Sequence, residues 1–488
     1  MSSFEEIRDE RVKKLKTLEG QGINPFPIST ERDYSINEVK KNFSKLAKRK
    51  KPLTIVGRTL SLREHGGSVF LDIFDSSQIQ AYLKRDKVGD GAFKLFMGTV
   101  DVGDFLELRG NLFLTRRGEQ TLNVSFWKII AKSLRPLPEK WHGLQDIEER
   151  FRKRYLDLLM NKEVRDRFAA RSQIIKEIRV FFDRHGYIEV ETPILQTLPG
   201  GATAEPFVTH HNALNQNFYL RIAQELYLKK LLVGGLERVY EIGRIFRNEG
   251  IDTTHNPEFT MLESQEAYAD AKSQMEFIED LMKYIVKKIF GKTKIIRGGE
   301  TIDFSKKFSV IPFLEFLKRH ALIPKPETAT KKELSDKAAQ LGIKVYEGDA
   351  PEKIMDNIYK KICRPKLVQP TFIIDYPVAF NPFAKRKEDN PTLIDRFQLV
   401  VGGIEIVNAF SELNNPVDQK ERYLEQDKKR EGGEHEISPS DEDYLEAMEY
   451  GMPPNGGIGI GIDRLVMFLT DTKNIKEVIL FPTLKPKS

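Results

Sequence analysis

Two stretches of this 488-residue chain carry residues that could handle phosphate. The first runs Arg238-Val-Tyr-Glu-Ile-Gly-Arg-Ile-Phe-Arg-Asn-Glu249, then turn formers to Pro257, then Glu258-Phe-Thr-Met-Leu-Glu263. It reads as strand, loop and returning strand. Arg247 and Glu249 take alternate positions of the entering strand and so project to one face. A planar guanidinium beside a carboxylate, opposite Phe259 and near the loop residue His255, can hold a phosphate, hydrogen-bond a purine and stack on its ring. Taken alone, the block fits an exposed hairpin with a surface Arg–Glu pair at least as well. The second stretch is Gly456-Gly-Ile-Gly-Ile-Gly-Ile-Asp-Arg-Leu465. Glycines 457, 459 and 461 alternate with isoleucines, a strand with one bare face against which a ligand can lie. Arg464 then opens a helix, where peptide dipoles favour anions. The glycine spacing matches neither a P-loop nor a dinucleotide fingerprint. Close helix packing is the other reading of these glycines.

Positioning such residues needs a substantial scaffold, and a chain that is 40% hydrophobic can supply two or more domains. The net charge is only +6, but the basic excess lies in roughly the first 145 residues. That asymmetry suits a domain meeting a polyanion, or simply a solvated lysine-rich surface. One cysteine, Cys363, excludes a disulfide framework and a multi-cysteine zinc site, and the pair His210-His211 is a weak metal signal. The charged first ten residues argue against a secretory signal, and no apolar run is long enough to span a membrane. The expected setting is the cytoplasm.

The period of the sequence divides the chain into an N-terminal helical segment (1–50), a barrel (51–134), a linker (135–160) and a large domain (161–488). The first segment holds an amphipathic helix over 4–19 and a basic run over 40–51. Strands are expected at 53–62, 68–74, 79–84, 105–113 and 121–130, with a short helix at 91–96. Five strands with a helix between the third and fourth is the order of an OB-fold barrel, whose open face suits single-stranded nucleic acid, although other small barrels share the pattern. Helices follow at 146–159 and 163–184, the second with Val164, Phe168, Ile175, Ile178 and Phe182 on one face and a stop at His185-Gly186. Three helical patterns over about 311–363 look like an insertion. The fold class is α+β and multidomain, the large domain being a mainly antiparallel sheet flanked by helices.

Read together, Phe246-Arg247-Asn-Glu249, His255-Asn-Pro-Glu-Phe259 and Gly-Ile-Gly-Ile-Asp-Arg464 resemble motifs 2 and 3 of the class II aminoacyl-tRNA synthetases. The 163–186 helix with Tyr187-Ile-Glu-Val-Glu-Thr-Pro193 resembles motif 1, which in that class builds a homodimer interface. The acidic segments Ala223-Gln-Glu225, Glu263 and Asn408-Ala-Phe410-Ser-Glu412 resemble the lysyl members, as do Trp141-His-Gly-Leu144 and Arg154-Tyr-Leu-Asp-Leu158. The resemblance implies an ATP-dependent ligase that activates L-lysine and transfers it to tRNA(Lys). It implies Arg247 on the α-phosphate, Arg464 on the γ-phosphate, His255 on the leaving pyrophosphate, Glu249 on the adenine amine, Phe259 stacked on the ring, and Asn256 also in the ATP site. Glu405 would bind Mg2+, with Gln398 where a second metal-binding glutamate is common. For lysine it implies Glu412 on the ε-ammonium, Phe410 along the stem, Glu225, Glu263 and Asn408 around the rest, and Gly201 beside the substrate backbone. Phe70, Gln80 and Arg63 fall at anticodon-reading positions; by alternation alone Phe70 is equally a core residue. Besides Gln398, one departure stands out: Ser264-Gln265 replaces a pair whose tyrosine helps hold the ε-ammonium. An aspartyl- or asparaginyl-type enzyme, a non-catalytic RNA-binding paralogue and a ligase acting on protein are the competing readings; the last lacks such a barrel.

Overall fold

The computed structural model describes residues 4–138, 144, 146–202, 204–431 and 439–486. Of the segment Trp141-His-Gly-Leu144, the first three residues lie outside the described residues. The chain divides into two compact units, Met1–Gln145 and Asp146–Ser488.

In the first unit, strands β1 (Leu53–His65), β2 (Ser68–Phe74), β3 (Gln78–Lys84), β4 (Phe105–Leu114) and β5 (Gln120–Ala131) close into a barrel in the order β1-β2-β3-β5-β4. The helix Asp90–Thr99 sits between β3 and β4, where the sequence predicts it. Alternation drives closure: Val69, Leu71 and Ile73 of β2 and Ala81 and Leu83 of β3 are buried with Leu106, Leu108, Leu122 and Val124. Helices Phe4–Gly20, Ile36–Lys41 and Phe43–Lys48 add Leu18, Ile36, Val39, Phe43 and Leu46 to the same core.

Residues 146–160, expected as the end of a linker and mostly as one helix, belong to the second unit and form two helices, Ile147–Arg152 and Arg154–Met160. The break at Lys153 turns Arg154 inward. Its guanidinium, fully buried, donates to the Leu480 and Lys476 carbonyls and pairs with buried Asp157.

The second unit is built on an eight-stranded sheet that is antiparallel except for its two outermost pairs. In spatial order its strands are Ser309–Pro312, Thr371–Pro377, Leu393–Val401, Ile404–Ser411, Asn455–Gly461, Glu258–Ala267, Arg238–Phe246 and Ile188–Glu189. Register gives the two faces opposite characters. Leu262, Ile460, Val407 and Leu399 form one cross-strand row into the core, packed with helices Lys162–Arg184, Ala271–Phe290 and Ile462–Leu469. The adjacent row, on the other face, is Glu241, Glu263, Gly459, Asn408 and Gln398. Two residues further along the strands lies Gln265, Gly457, Phe410 and Arg396, also on that face. The isoleucines of the glycine-rich strand therefore point to the core and its glycines to the polar face. The insertion holds the three expected helices, Phe313–His320, Lys331–Gln340 and Pro351–Ile358, and forms a second core with Tyr376, Tyr423 and Tyr444.

Candidate active site

The polar face of the sheet is the floor of a cavity of about 1060 Å³ lined by Gly201, Glu225, Arg247, Glu263, Gln265, Asn408, Phe410, Glu412, Gly457 and Gly459, among others. Gly457 and Gly459 make that floor backbone. A Cβ on Gly457 would lie 2.1 Å from Glu412 Oε1 and 2.5 Å from Gln265 Nε2, so the bare position lets these two side chains meet, Gln265 donating to Glu412 at 2.7 Å. Gly201 has φ +81°, and a Cβ there would come within 3.2 Å of Glu225 Cβ and Ala223 Cβ. Glycine is required on both counts.

Acidic side chains converge at one end of the cavity. Glu263 is buried and accepts the Gln224 backbone N–H at 2.9 Å. Burial, then the charge of Glu225, push its carboxyl up to about 8. Glu225 and Glu412 both reach Lys229 Nζ, each at 2.5 Å. Burial also drives Glu412 upward, and the Lys229 ammonium opposes it. Asn408 accepts from Arg396 Nε at 2.8 Å, and the Arg396 guanidinium lies over the Tyr376 ring.

The phosphate-type residues lie alongside. The entering hairpin strand stops at Phe246, so Arg247 and Glu249 sit in the loop, not at alternate strand positions as expected. The cause is Pro257. Arg247 N–H still donates to its carbonyl at 2.8 Å, but proline has no N–H to return, and Asn248 turns away to the Glu205 carbonyl. Arg247 is half-buried; its guanidinium donates to the Ile222 carbonyl and lies 5.3 Å from the Phe259 ring centroid. Burial draws its pKa down, against the charges of Glu249 and Glu263. Glu249 itself is exposed.

Arg464 Nη2 donates to His255 Nε2 at 3.1 Å. His255 Nδ1 in turn lies 2.9 Å from Asp252 Oδ2, so the imidazole bridges Arg464 and Asp252. Burial would raise Asp252, but the Thr254 N–H and His255 outweigh it and hold the carboxyl at about 2. The two sequence blocks thus touch through His255 and Arg464. Asn256 is buried and donates to the Glu258 carbonyl at 2.6 Å, shaping the loop.

Glu405 lies 3.6 Å from Arg364. Burial works to raise it, but Arg464, Arg364, Lys360 and Arg396 outweigh that and keep it below the ordinary carboxylate value. Gln398 is buried, and its Oε1 accepts the Tyr376 hydroxyl at 2.7 Å. A persistent carboxylate among cations fits a divalent ion only if a bound polyphosphate supplies further anionic oxygens.

On the barrel, Phe70 stands between buried Val69 and Leu71 and is itself only partly buried. Its ring lies 4.6 Å from that of Tyr82, which contacts Phe113 in turn. Arg63 pairs with Phe70 in register and is exposed. Gln80 is already engaged, donating to Glu119 and accepting from Thr121.

Residues 146–485 match the family described as tRNA synthetases class II (D, K and N), and residues 53–130 match the OB-fold nucleic acid binding domain. A lysine–tRNA ligase of Pelotomaculum thermopropionicum is 48% identical over 99% of this chain and 95% of its own length. Those of Syntrophomonas wolfei and Moorella thermoacetica are 47% and 46% identical, over 100% and 98% of this chain and 98% and 97% of their own lengths. The chain belongs to the class II lysyl-tRNA synthetases.

Several residues of the synthetase site had no weight in the sequence. Arg221 and Glu241 form a buried pair, 2.5 Å apart, on the polar face of the strand Arg238–Phe246. Lys229 is wholly buried. The available signal for it was a lysine four residues after Glu225, among Leu226, Leu228 and Leu232 on the inward side of helix Glu225–Val233. Substituting Gly457→Ala should lower amino-acid-dependent pyrophosphate exchange at least about tenfold by forcing Glu412 and Gln265 apart. The variant should still melt cooperatively, and unchanged exchange would show that the bare floor is dispensable.

Proposed function

We propose that this synthetase activates L-lysine with ATP and transfers the lysyl group to the 3′ end of tRNA(Lys) in the cytoplasm. The observation that carries the reading is the continuity of one backbone floor under two chemistries, an acid-lined pocket and two arginines, Arg247 from the hairpin loop and Arg464 from the first turn of a helix. The lysine carboxylate attacks the α-phosphorus, forming the mixed anhydride and releasing pyrophosphate. A terminal ribose hydroxyl of the tRNA then attacks the lysyl carbonyl, AMP leaves and the ester remains. No protein nucleophile takes part; positioning and charge stabilisation supply the acceleration.

Arg247 holds the carboxylate and α-phosphate together, and Phe259 offers a ring to the adenine, with Glu249 at the loop entrance to accept from its amine. Arg464 and His255 exchange their mutual bond for contacts to the departing phosphates. Glu412 takes the ε-ammonium, Phe410 the aliphatic stem, and Glu225, Glu263, Asn408 and Gly201 the amino-acid end. Glu405 would hold Mg2+ together with the nucleotide's phosphates, where the ion offsets their charge; Gln398 contributes through its bond to Tyr376. A pocket ended by Glu412 and Glu225 repels an aspartate carboxylate and offers an asparagine amide no opposite charge to pair with, and intact Arg247, His255 and Arg464 speak against a non-catalytic paralogue.

The partly exposed rings of Phe70 and Tyr82 are suited to stacking on unpaired anticodon bases, with Arg63 beside them and Gln80 exchanging Glu119 for a base edge. Ile188, at the open edge of the eight-stranded sheet, and Ile194, Leu195 and Val208 near it are exposed, as a homodimer interface in this region requires.

Three measurements test these assignments. Arg247→Ala should cut lysine-dependent pyrophosphate exchange by about two to three orders of magnitude; near-normal exchange sinks the active-site reading. Phe70→Ala should raise the KM for tRNA about tenfold while sparing exchange, whereas equal loss of both points to a folding role. The wild type should sediment as a dimer at micromolar concentration and Ile188→Asp as a monomer; a monomeric wild type removes the interface.

A further inference from the structure

The end of the amino-acid pocket already contains an ammonium group, and it belongs to the chain. Lys229 extends from helix Glu225–Val233 with its side chain fully enclosed. Its Nζ lies 2.5 Å from Glu225 Oε1 and 2.5 Å from Glu412 Oε2, so these oxygens are at most about 5 Å apart. Around it stand the rings of Phe383, Phe410 and Tyr444, with centroids 5.3, 5.6 and 5.9 Å from the nitrogen. Two carboxylates and an aromatic cage are what a protein builds to bind an alkylammonium ion. Here that apparatus is half-occupied from within.

The charges on this wall can be accounted for. Glu225 and Glu412 bring two negative charges and Lys229 one positive. Glu263, the third acid, accepts the Gln224 N–H and lies in the field of Arg247. The other titratable groups acting on the cluster are Tyr444, Tyr423 and Asp441, from helices Pro416–Glu431 and Glu442–Glu449 or the segment between them. Gln265 places its amide nitrogen on Glu412, while its Oε1, on the cavity lining, is buried without a hydrogen-bond partner among the described residues. With both carboxyls ionised one net negative charge remains, and Gln265 Oε1 and Glu412 Oε2 are both acceptors without a hydrogen bond among the described residues, which suits a single ammonium.

From this enclosure we infer that Lys229 is a positioning and specificity-determining residue: as a built-in counter-cation it holds the Glu225 and Glu412 carboxyl groups together around one nitrogen and tunes the pocket to one further ammonium ion. The inference rests on the lysine reading above. Two nearby buried carboxylates without a cation share a proton, and the pocket then loses the charge that recognises its substrate. The sign follows. Lys229 lowers the Glu412 carboxyl against the upward push of burial, so removing it raises that carboxyl, weakens lysine binding at neutral pH and lets binding recover as pH rises.

The test is pyrophosphate exchange over pH 6 to 9 in the wild type, Lys229→Met, which keeps the unbranched stem, and Lys229→Arg, which keeps the charge. Lys229→Met should raise the KM for lysine at least about tenfold at pH 7, one carboxyl pKa unit being one decade. Its KM for ATP should stay within about twofold, and the midpoint of the lysine KM profile should move at least about one unit to higher pH. Lys229→Arg should restore most of the lysine affinity. An unchanged lysine KM, or equal rises for lysine and ATP with an unshifted profile, overturns the inference. If Lys229→Met fails to melt cooperatively, the wild type labelled with [ε-13C]lysine decides, with the Lys229 signal assigned by its absence in Lys229→Arg. That signal should stay in the ammonium form past the ordinary lysine pKa of about 10.4 and shift on adding lysine but not ATP alone. An ordinary titration, or no response to lysine, overturns the role. A wild type that exchanges with no lysine at all is a different failure, that of the lysine reading itself.

Discussion

Charge cannot be buried without a partner, and much of the catalytic unit follows from that requirement. The unit encloses at least four acid–base combinations close to one another: Arg221 with Glu241, Lys229 with Glu225 and Glu412, Arg364 with Glu405, and Arg154 with Asp157. The first three border the cavity or its supporting strands, and the last ties a helix to the chain's C-terminal turns. Each pair is affordable only where the fold brings the partners together, a strand residue meeting a loop or turn arginine in Arg221–Glu241 and Arg364–Glu405, and a helix supplying the cation in the other two. The sheet supplies the floor, and the helices and turns packed on it bring the counter-charges that buried acids need.

This arrangement also explains why the two ends of the cavity behave differently. At the end proposed for the nucleotide, cations surround Glu405 and hold its carboxyl below the ordinary value, and Arg464 meets His255. At the amino-acid end acids dominate, and burial pushes Glu263 and Glu412 toward the protonated form. A polyanion and a cation thus find opposite potentials a short distance apart, which orients a dipolar pair of substrates before any reaction.

Much of the architecture was legible because it rests on periodicity. The five barrel strands and the intervening helix fall where alternation predicts them, and the glycine–isoleucine alternation separates a core face from a cavity-lining face. Residues in the motif blocks were legible through their order. What escaped depends on tertiary meetings. Arg247 lies past the strand end because Pro257 cannot return a hydrogen bond, a local rule available in the sequence but outweighed by the appearance of a continuous strand. Lys229 was invisible because a lysine in a helix ordinarily faces water, and Glu412, its second partner, comes from a distant strand. Arg154 and Asp157 likewise read as surface charges until the C-terminal carbonyls that receive Arg154 are in place.

The alternating strand Asn455–Gly461 has one more property. Because strand side chains alternate with period two, pairing it one residue out of register would turn Ile458 and Ile460 into the cavity and Gly457 and Gly459 into the core. The first change blocks the substrate floor; the second leaves voids among Leu262, Val407 and the helices behind them. A mispaired sheet is thus penalised twice, in packing and in function. A chain with a dead pocket from this cause is also a loosely packed one, open to proteolysis, so quality control that senses only stability would also remove inactive enzyme from the pool available to protein synthesis.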